Sequence, residues 1–403
     1  MSDIFIGRQP VFDQHLAIFA YELLFRAQED QTTANIVDAD IATSQVILNC
    51  FADIGIKNLV GRHFAFINMT RYFLENPDHV AIPPGQVILD VPQDLHTDDY
   101  VMSGLSALKS RGHTIALENF VYDPALEPLI ELVDIIKIDV ENTSELDLRR
   151  QVSELRHRKL RLLAMKVESY EQFERLKQLD FDFFQGHFFS KPSVIKGKAL
   201  SGSQVSVLRV IAKVFDPDLN VSELSAIIGT DVSLSHKIMK FINASANGLR
   251  VQVDTIKHAV VLLGINTIKN WATLIALTAS SDKPDELCRV AIVRARCCEQ
   301  LARKSAQANP DNYFTLGLFS TLEAMMDASI AFLLEGLPLS SELKSAAING
   351  DGTYGKALEC VMAMEVNDPD KIHFMTLTLT EISEIYLEAI AWADEQLDLV
   401  IKT

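Results

Sequence analysis

The stretch DIIKIDVENTSELDLRRQVSELRHRKLRLLAMKV, residues 134–167, decides the fold. It opens on a short β-branched run, Asp134 to Val140, and closes on a second apolar run, Leu160 to Val167. Between them Leu146, Leu148, Val152 and Leu155 form an apolar stripe of helical character. Arg149, Arg150, Arg156, Arg158, Lys159 and Arg161 take the other face, as a solvated surface. Strand, helix and strand in so few residues imply two parallel strands joined by a crossover helix.

The same rhythm runs outward from this unit. Further strand-like runs are HFAFINMT (63–70), GQVILDVP (85–92), HTIALENF (113–120) and FDFFQG (181–186), with amphipathic stretches such as DDYVMSGLSALKSRG and SYEQFERLKQLD between them. They recur roughly every 20 to 25 residues, which predicts a parallel sheet closed into a β/α barrel of the TIM type. Chemistry in such a barrel sits where the strands end. The ends here are polar: Glu22, Asn68, Asp90 and Gln93, Glu118 and Asn119, Lys137 and Asp139, Glu168, and Gln185. Any one of them is explained as a cap or a loop hydrogen-bonder; their recurrence on strand after strand points to a common pocket.

The rhythm changes after FFSKPSVIKGKALSG. Residues 1–194 read as the barrel, 195–202 as a linker and 203–403 as an all-α domain. Its segments include SQVSVLRVIAKVFD, NVSELSAIIGTD, SLSHKIMKFINASAN, DTIKHAVVLLGINTIKNWATLIALTAS and ELCRVAIVRARCCEQLARKSA, with Asn220 and Ser233 placed as caps. Two cores suit a chain of 403 residues. A hydrophobic content of 48% and a charged content of 23% are ordinary for a folded, soluble protein. A net charge of −17 repels a phosphate backbone and argues against nucleic-acid partners. The sequence lacks both an apolar stretch of membrane-spanning length and a signal core at its start, so no membrane association and a cytoplasmic location are expected. Cys50, Cys288, Cys297, Cys298 and Cys360 contain no C-x-x-C pair and read as buried thiols.

Taken in order, the strand-end motifs resemble the EAL domain, a barrel family whose active members hydrolyse cyclic di-GMP with two divalent metal ions. RQPVFD (8–13) resembles the family's opening, with Gln9, and YELLFR (21–26) stands at its signature with Glu22 and Arg26 kept. INMT supplies Asn68, IIKID supplies Lys137, and FFQGHFFSKP supplies Gln185. Three motifs depart from the family's pattern. Gln93 stands where the resemblance implies a metal-binding glutamate, Glu118-Asn119 where it implies two aspartates, and Met165 where it implies the glutamate proposed as general base, whereas Glu168 is retained. Neutral amides and a thioether are poor ligands for hard divalent cations, so loss of metal and of hydrolysis is expected. Lys166, at a family glycine, would oppose a cation, pair with Glu118 or Glu168, or turn to solvent.

The second half resembles the HDOD domain, a helical relative of metal-dependent phosphohydrolases. The residues that carry the likeness are IIGTDVSLSHKIMKFINASANG (227–248) and DTIKHAVVLLGINTIKNW (254–271). Where the enzymes place adjacent His-Asp ligands this chain has Ser320 and Thr321, within LGLFSTLEAMM. His236 and His258 read as structural, and Met325 and Met326 as core.

The resemblance implies an inactive signalling regulator in motility, biofilm or stress responses, with no catalytic residues, metal or cofactor. It would act through signalling-protein partners or as a homodimer. The alternatives are a receptor that binds cyclic di-GMP through Gln9, Arg26, Asn68 and Gln185 without hydrolysis, and an enzyme whose Glu22, Glu118 and Glu168 hold a single ion.

Overall fold

The computed structural model describes residues 4–27, 55–80, 82, 84–93, 98–190, 201–229, 232–243, 252–279 and 283–401. Two compact units divide the chain after Phe188. In the first, eight strands close a barrel in chain order: β1 (Ile4–Asp13), β2 (Ile18–Ala27), β3 (Phe64–Asn68), β4 (Val87–Pro92), β5 (Thr114–Glu118), β6 (Ile135–Asp139), β7 (Arg161–Met165) and β8 (Phe183–Gln185). Neighbours from β2 to β8 pair parallel.

β1 departs from the all-parallel expectation by running antiparallel to both β2 and β8. The physical reason is the connection that follows it. Asp13 accepts hydrogen bonds from the backbone of His15 (2.8 Å) and Ala17 (2.9 Å), which folds the chain into a tight turn far too short for a crossover helix.

Inside the barrel, Val11, Ala20, Phe66, Ile88, Ala116, Ile135, Leu163 and Phe183 meet in one buried cluster. Each strand contributes to it, so this cluster fixes which parity of every strand faces inward.

The deciding stretch folds as read, with one correction. Ser144 caps the Glu145–Arg156 helix by accepting from Asp147 N, and Leu148, Val152 and Leu155 are buried at i, i+4 and i+7. Leu146 is 78% exposed: two residues before Leu148, it lies on the far side of the helix. Three of the six basic residues find acidic partners, Arg149 with Glu145 (2.9 Å), Arg158 with Glu127 (2.8 Å) and Arg156 with Asp182 (3.6 Å), while the Arg161 guanidinium lies over Phe19 and Phe183.

The second unit is helical throughout its described residues. Ser201 caps its first helix, Gly202–Val214, in a reciprocal pairing with Gln204, so the end of the expected linker is the helix start; residues 195–200 lie outside the described ones. Asn220 caps the Val221–Gly229 helix by accepting from Ser222 and Glu223 N at 2.9 and 3.0 Å. Ser233 falls within the Val232–Ile242 helix, and its side chain is not among those described. The long stretch from Asp254 to Ser280 breaks into Ile256–Leu263 and Ile265–Ala279 at Gly264, whose φ of 84° stops the first helix.

The centre of the unit is the Asp285–Lys304 helix, packed against Pro310–Phe319 and Leu379–Ile401. Gly317 permits the first contact, because a Cβ there would lie 2.5 Å from the backbone of Ala295. Cys288, Cys297, Cys298 and Cys360 are buried free thiols, with Cys50 outside the described residues, and Met325 and Met326 are core. Among the described residues no helix is long and apolar enough to cross a membrane.

Candidate functional site

The inward parity of the strands builds the site. Two residues beyond the core cluster, toward the ends of the strands, each strand places one more side chain over the barrel axis. Ala20 is followed by Glu22, Phe66 by Asn68, Ile88 by Asp90, Ala116 by Glu118, Ile135 by Lys137, Leu163 by Met165 and Phe183 by Gln185. β1 runs the other way, so its contribution, Gln9, precedes Val11. The ladders hold these positions side by side, with Gln9 opposite Glu22, Asn68 opposite Asp90 and Val11 opposite Gln185.

Lys137 is the hub. Its side chain is fully buried over the Phe66 ring, 5.2 Å from the centroid. Its Nζ donates to Glu22 Oε2 at 3.0 Å and to Asp90 Oδ2, and stands 3.6 Å from Glu118 Oε1. Oxygens of Glu22, Asp90 and Glu118 all lie within 4.8 Å of one another. Gln185 Nε2 donates to Glu22 Oε2 at 2.6 Å and to Gln9 Oε1 at 3.0 Å, which ties the seam between β8, β1 and β2 into the cluster.

Electrostatics follow from burial and this ring of charge. Burial pushes Asp90 up to about 7, aided by the neighbouring charges of Glu22 and Glu118 and opposed by Lys137. Burial acts in the same sense on Glu22, but the Lys137 charge and hydrogen bonds from Gln185, Lys137 and Asn68 outweigh it and hold the carboxyl below its usual range. Burial would lower Lys137; the carboxylates of Asp90, Glu22 and Glu118 prevail and raise it. Lys137 is therefore a fixed cation facing three carboxyl groups. Three buried oxygens of the layer, Asn68 Oδ1, Asp90 Oδ1 and Gln185 Oε1, have no hydrogen-bond partner among the described residues.

The remaining residues singled out from the sequence stand apart from the hub. Gln93 spends both ends of its amide on one residue: Oε1 accepts from Val121 N at 2.7 Å and Nε2 donates to Val121 O at 3.1 Å. Asn119 is exposed in the left-handed region at φ 53°, which asparagine tolerates. Met165 is buried with the core cluster. Lys166, also left-handed at φ 60°, is exposed and pairs with Asp139 at 2.7 Å rather than with Glu118 or Glu168. Glu168 lies beyond the strand end, with His187 Nδ1 3.7 Å away and its backbone N–H held by Gln172 at 2.9 Å. The three convergent carboxylates are thus Glu22, Asp90 and Glu118; among the described residues Glu168 is not one of them. Arg26 pairs with Phe5 in the β1–β2 ladder, and its side chain lies outside the described ones.

Asp90 is the participant that sequence reasoning noted only as a polar strand end. The signal for it was available: in GQVILDVP it follows Ile88 at the strand period of two, the spacing that separates Ile135 from Lys137.

Gly186 holds the seam closed after β8. Its φ is 153°, and a Cβ would lie 2.1 Å from Val167 O, in the space that lets Val167 N reach Gln185 O at 2.9 Å.

In the helical unit the position of the absent His-Asp pair is occupied by other chemistry. Arg294, largely buried, donates from Nη1 to Ser320 Oγ at 3.2 Å, and Thr321 Oγ1 donates to Leu318 O at 3.1 Å. No group of metal-ligating side chains is formed there among the described residues.

Comparison with known proteins agrees with this architecture. The chain matches the EAL domain family over residues 53–192 and the HDOD domain family over residues 203–329. It is 31% identical over 406 aligned positions to YuxH of Bacillus subtilis, described as uncharacterized, with 98% of this chain and 99% of that protein covered. It is 29% identical to the cyclic di-GMP phosphodiesterase CdgJ of Vibrio cholerae, with 98% and 93% covered. Among solved structures, the PaMucR phosphodiesterase in complex with c-di-GMP is 18% identical, covering 48% of this chain and 98% of that one, at a TM-score of 0.40. The FimX EAL domain of Pseudomonas aeruginosa bound to c-di-GMP is 19% identical, covering 47% and 91%, at a TM-score of 0.37.

Proposed function

Since the chain belongs to the family of proteins that join an EAL domain to an HDOD domain, we propose that it is a catalytically inactive regulator in cyclic di-GMP signalling that acts through protein partners. One observation carries the reading: the position where the likeness implies the general-base glutamate is filled by Met165, buried with the core cluster of the barrel. On this reading the residues do not fit the pair of divalent ions that the family likeness implies. Gln93 is a neutral amide already committed to the backbone of Val121, and Asn119 is a neutral, exposed amide. Met165 supplies a thioether that can neither bind a hard cation nor accept a proton from water.

A second reading, a receptor that binds the dinucleotide without cleaving it, is favoured by the oxygens of Asn68, Asp90 and Gln185 that find no partner among the described residues and are acceptors for a ligand's donors. The name of CdgJ favours hydrolysis, at 29% identity. One experiment separates all three: calorimetric titration of the full chain with cyclic di-GMP in calcium and then manganese, with chromatography of the manganese sample for the linear dinucleotide. The leading reading expects neither heat nor product. Binding without product supports the receptor, and product overturns both. In the triple variant Gln93→Glu, Asn119→Asp, Met165→Glu, gained turnover would mean that only ligands and base are missing.

A further inference from the structure

The helical unit contains a cavity of about 300 Å³ whose chemistry the barrel reading does not use. Its apolar wall is Trp271, Trp392 and Phe314, and the two indoles meet edge to face at 5.3 Å. Those two residues are all the tryptophan in the chain.

The charged wall is internally balanced. Arg296 lies over the Trp392 ring at 4.8 Å and pairs with Glu299 at 2.8 Å. Arg303 donates through Nε and Nη2 to Glu299 Oε1 at 3.0 and 2.7 Å, and stands 3.8 Å from Asp311. Two guanidiniums face two carboxylates. A cationic ligand would compete with Arg296 for the indole face, and an anionic one with Glu299 for both arginines, so the lining favours a ligand group without net charge.

The cavity also offers unspent hydrogen-bonding capacity. Asn270, 3% exposed, uses one end of its amide on Thr315 Oγ1 at 2.9 Å. The Thr315 hydroxyl also lies 3.0 Å from Asp311 O, so its single proton goes to one or the other. Whichever way the amide is turned, its other end has no partner among the described residues. Asp311 Oδ2 accepts from Asn266 at 3.1 Å, while among the described residues Oδ1 has only the loose contact with Arg303.

An aromatic wall beside a carboxylate, a guanidinium and an amide suits a planar heteroaromatic with donors and acceptors on one edge. Guanine fits this set best: its O6 and N7 accept from an arginine, and its ring N–H and amino group donate to a carboxylate. A volume at the small end of ligand sites admits one ring system rather than a dinucleotide. We propose that this cavity is a binding site for a guanine base, lodged against the aromatic wall and read by Asp311, Arg303 and Asn270. The proposal is independent of the barrel.

Tryptophan emission of the full-length protein tests it, because both indoles line the cavity and the barrel contributes none. Guanosine 5′-monophosphate should give a saturable change with a Kd below about 1 mM. Adenosine and cytidine monophosphates should bind at least tenfold more weakly, and Asp311→Asn should weaken the guanosine response at least tenfold while far-UV circular dichroism is unchanged. Arg303→Gln, at a half-exposed position, is the second variant should Asp311→Asn misfold, with the same tenfold loss expected. No saturable change, equal responses to the three nucleotides, or full affinity in a folded variant would overturn the proposal.

Discussion

Replacing Lys137 by methionine would keep the bulk of the side chain and remove the ammonium that contacts the Glu22, Asp90 and Glu118 carboxylates. Two full charges at the 4.8 Å limit that spans this cluster repel by about 3.5 kcal/mol at an effective dielectric of about 20. The protein can relieve that repulsion by protonating a carboxyl. At pH 7 Asp90, raised to about 7, takes that proton at little cost, and the repulsion left between Glu22 and Glu118 is relieved only by a further protonation that costs about 3.7 kcal/mol from an ordinary value near 4.3. Losing one partner of a buried ion pair costs about 3 to 5 kcal/mol, in agreement. Lys137→Met should therefore destabilise the barrel by about 3 to 5 kcal/mol at pH 7. Lowering the pH to 5 makes one such protonation about 2.7 kcal/mol cheaper, so the difference from the parent should shrink accordingly. Urea unfolding followed by far-UV circular dichroism measures the loss, while tryptophan emission follows the helical unit separately, since Trp271 and Trp392 both lie there. Adding Asp90→Asn and Glu118→Gln to Lys137→Met should recover more than half of the stability. A loss below about 1 kcal/mol, or one that grows on acidification, would refute the assignment of Lys137 as the counter-ion of a buried carboxylate cluster.

Three further outcomes follow from the same geometry. Gly186→Ala places a Cβ 2.1 Å from Val167 O at a backbone angle unfavourable to alanine, and should lower barrel stability by at least about 2 kcal/mol, measured by the same unfolding. Gln93→Ala removes both hydrogen bonds to Val121 and should speed exchange of the Val121 amide, seen by hydrogen-exchange mass spectrometry, at a cost of about 1 to 2 kcal/mol. Asp90 is raised in the folded state from 3.8 to about 7, so its contribution to stability is fully present below pH 3.8 and is lost as pH rises toward 7. Asp90→Asn should flatten that decline in a stability–pH profile.

Much of this was legible in the sequence because the barrel writes its pattern twice. The apolar runs mark the strands, and the polar residue at each strand end marks the layer above the core, so Glu22, Asn68, Glu118, Lys137 and Gln185 could be read from spacing and resemblance together. What escaped reading depends on three-dimensional closure. The direction of β1 is set by a short Asp13 turn, whereas a run of alternating residues looks the same in either orientation. The partner of Lys166 is Asp139, on the neighbouring strand and not on its own, and Gln93 engages the backbone of Val121, 28 residues away. Such side-chain-to-backbone contacts leave no periodic trace. Leu146 shows the converse limit: an apolar residue near a helical stripe is easily counted into it, and only the helix's actual phase excludes it.

The claim that the barrel site no longer holds divalent metal is tested most directly by titrating the full-length protein with manganese and following free ion by electron paramagnetic resonance. The loss of metal ligands predicts no saturable uptake below about 1 mM. Stoichiometric uptake of two manganese ions per chain at micromolar concentration, lost in a folded Glu22→Gln variant, would contradict it.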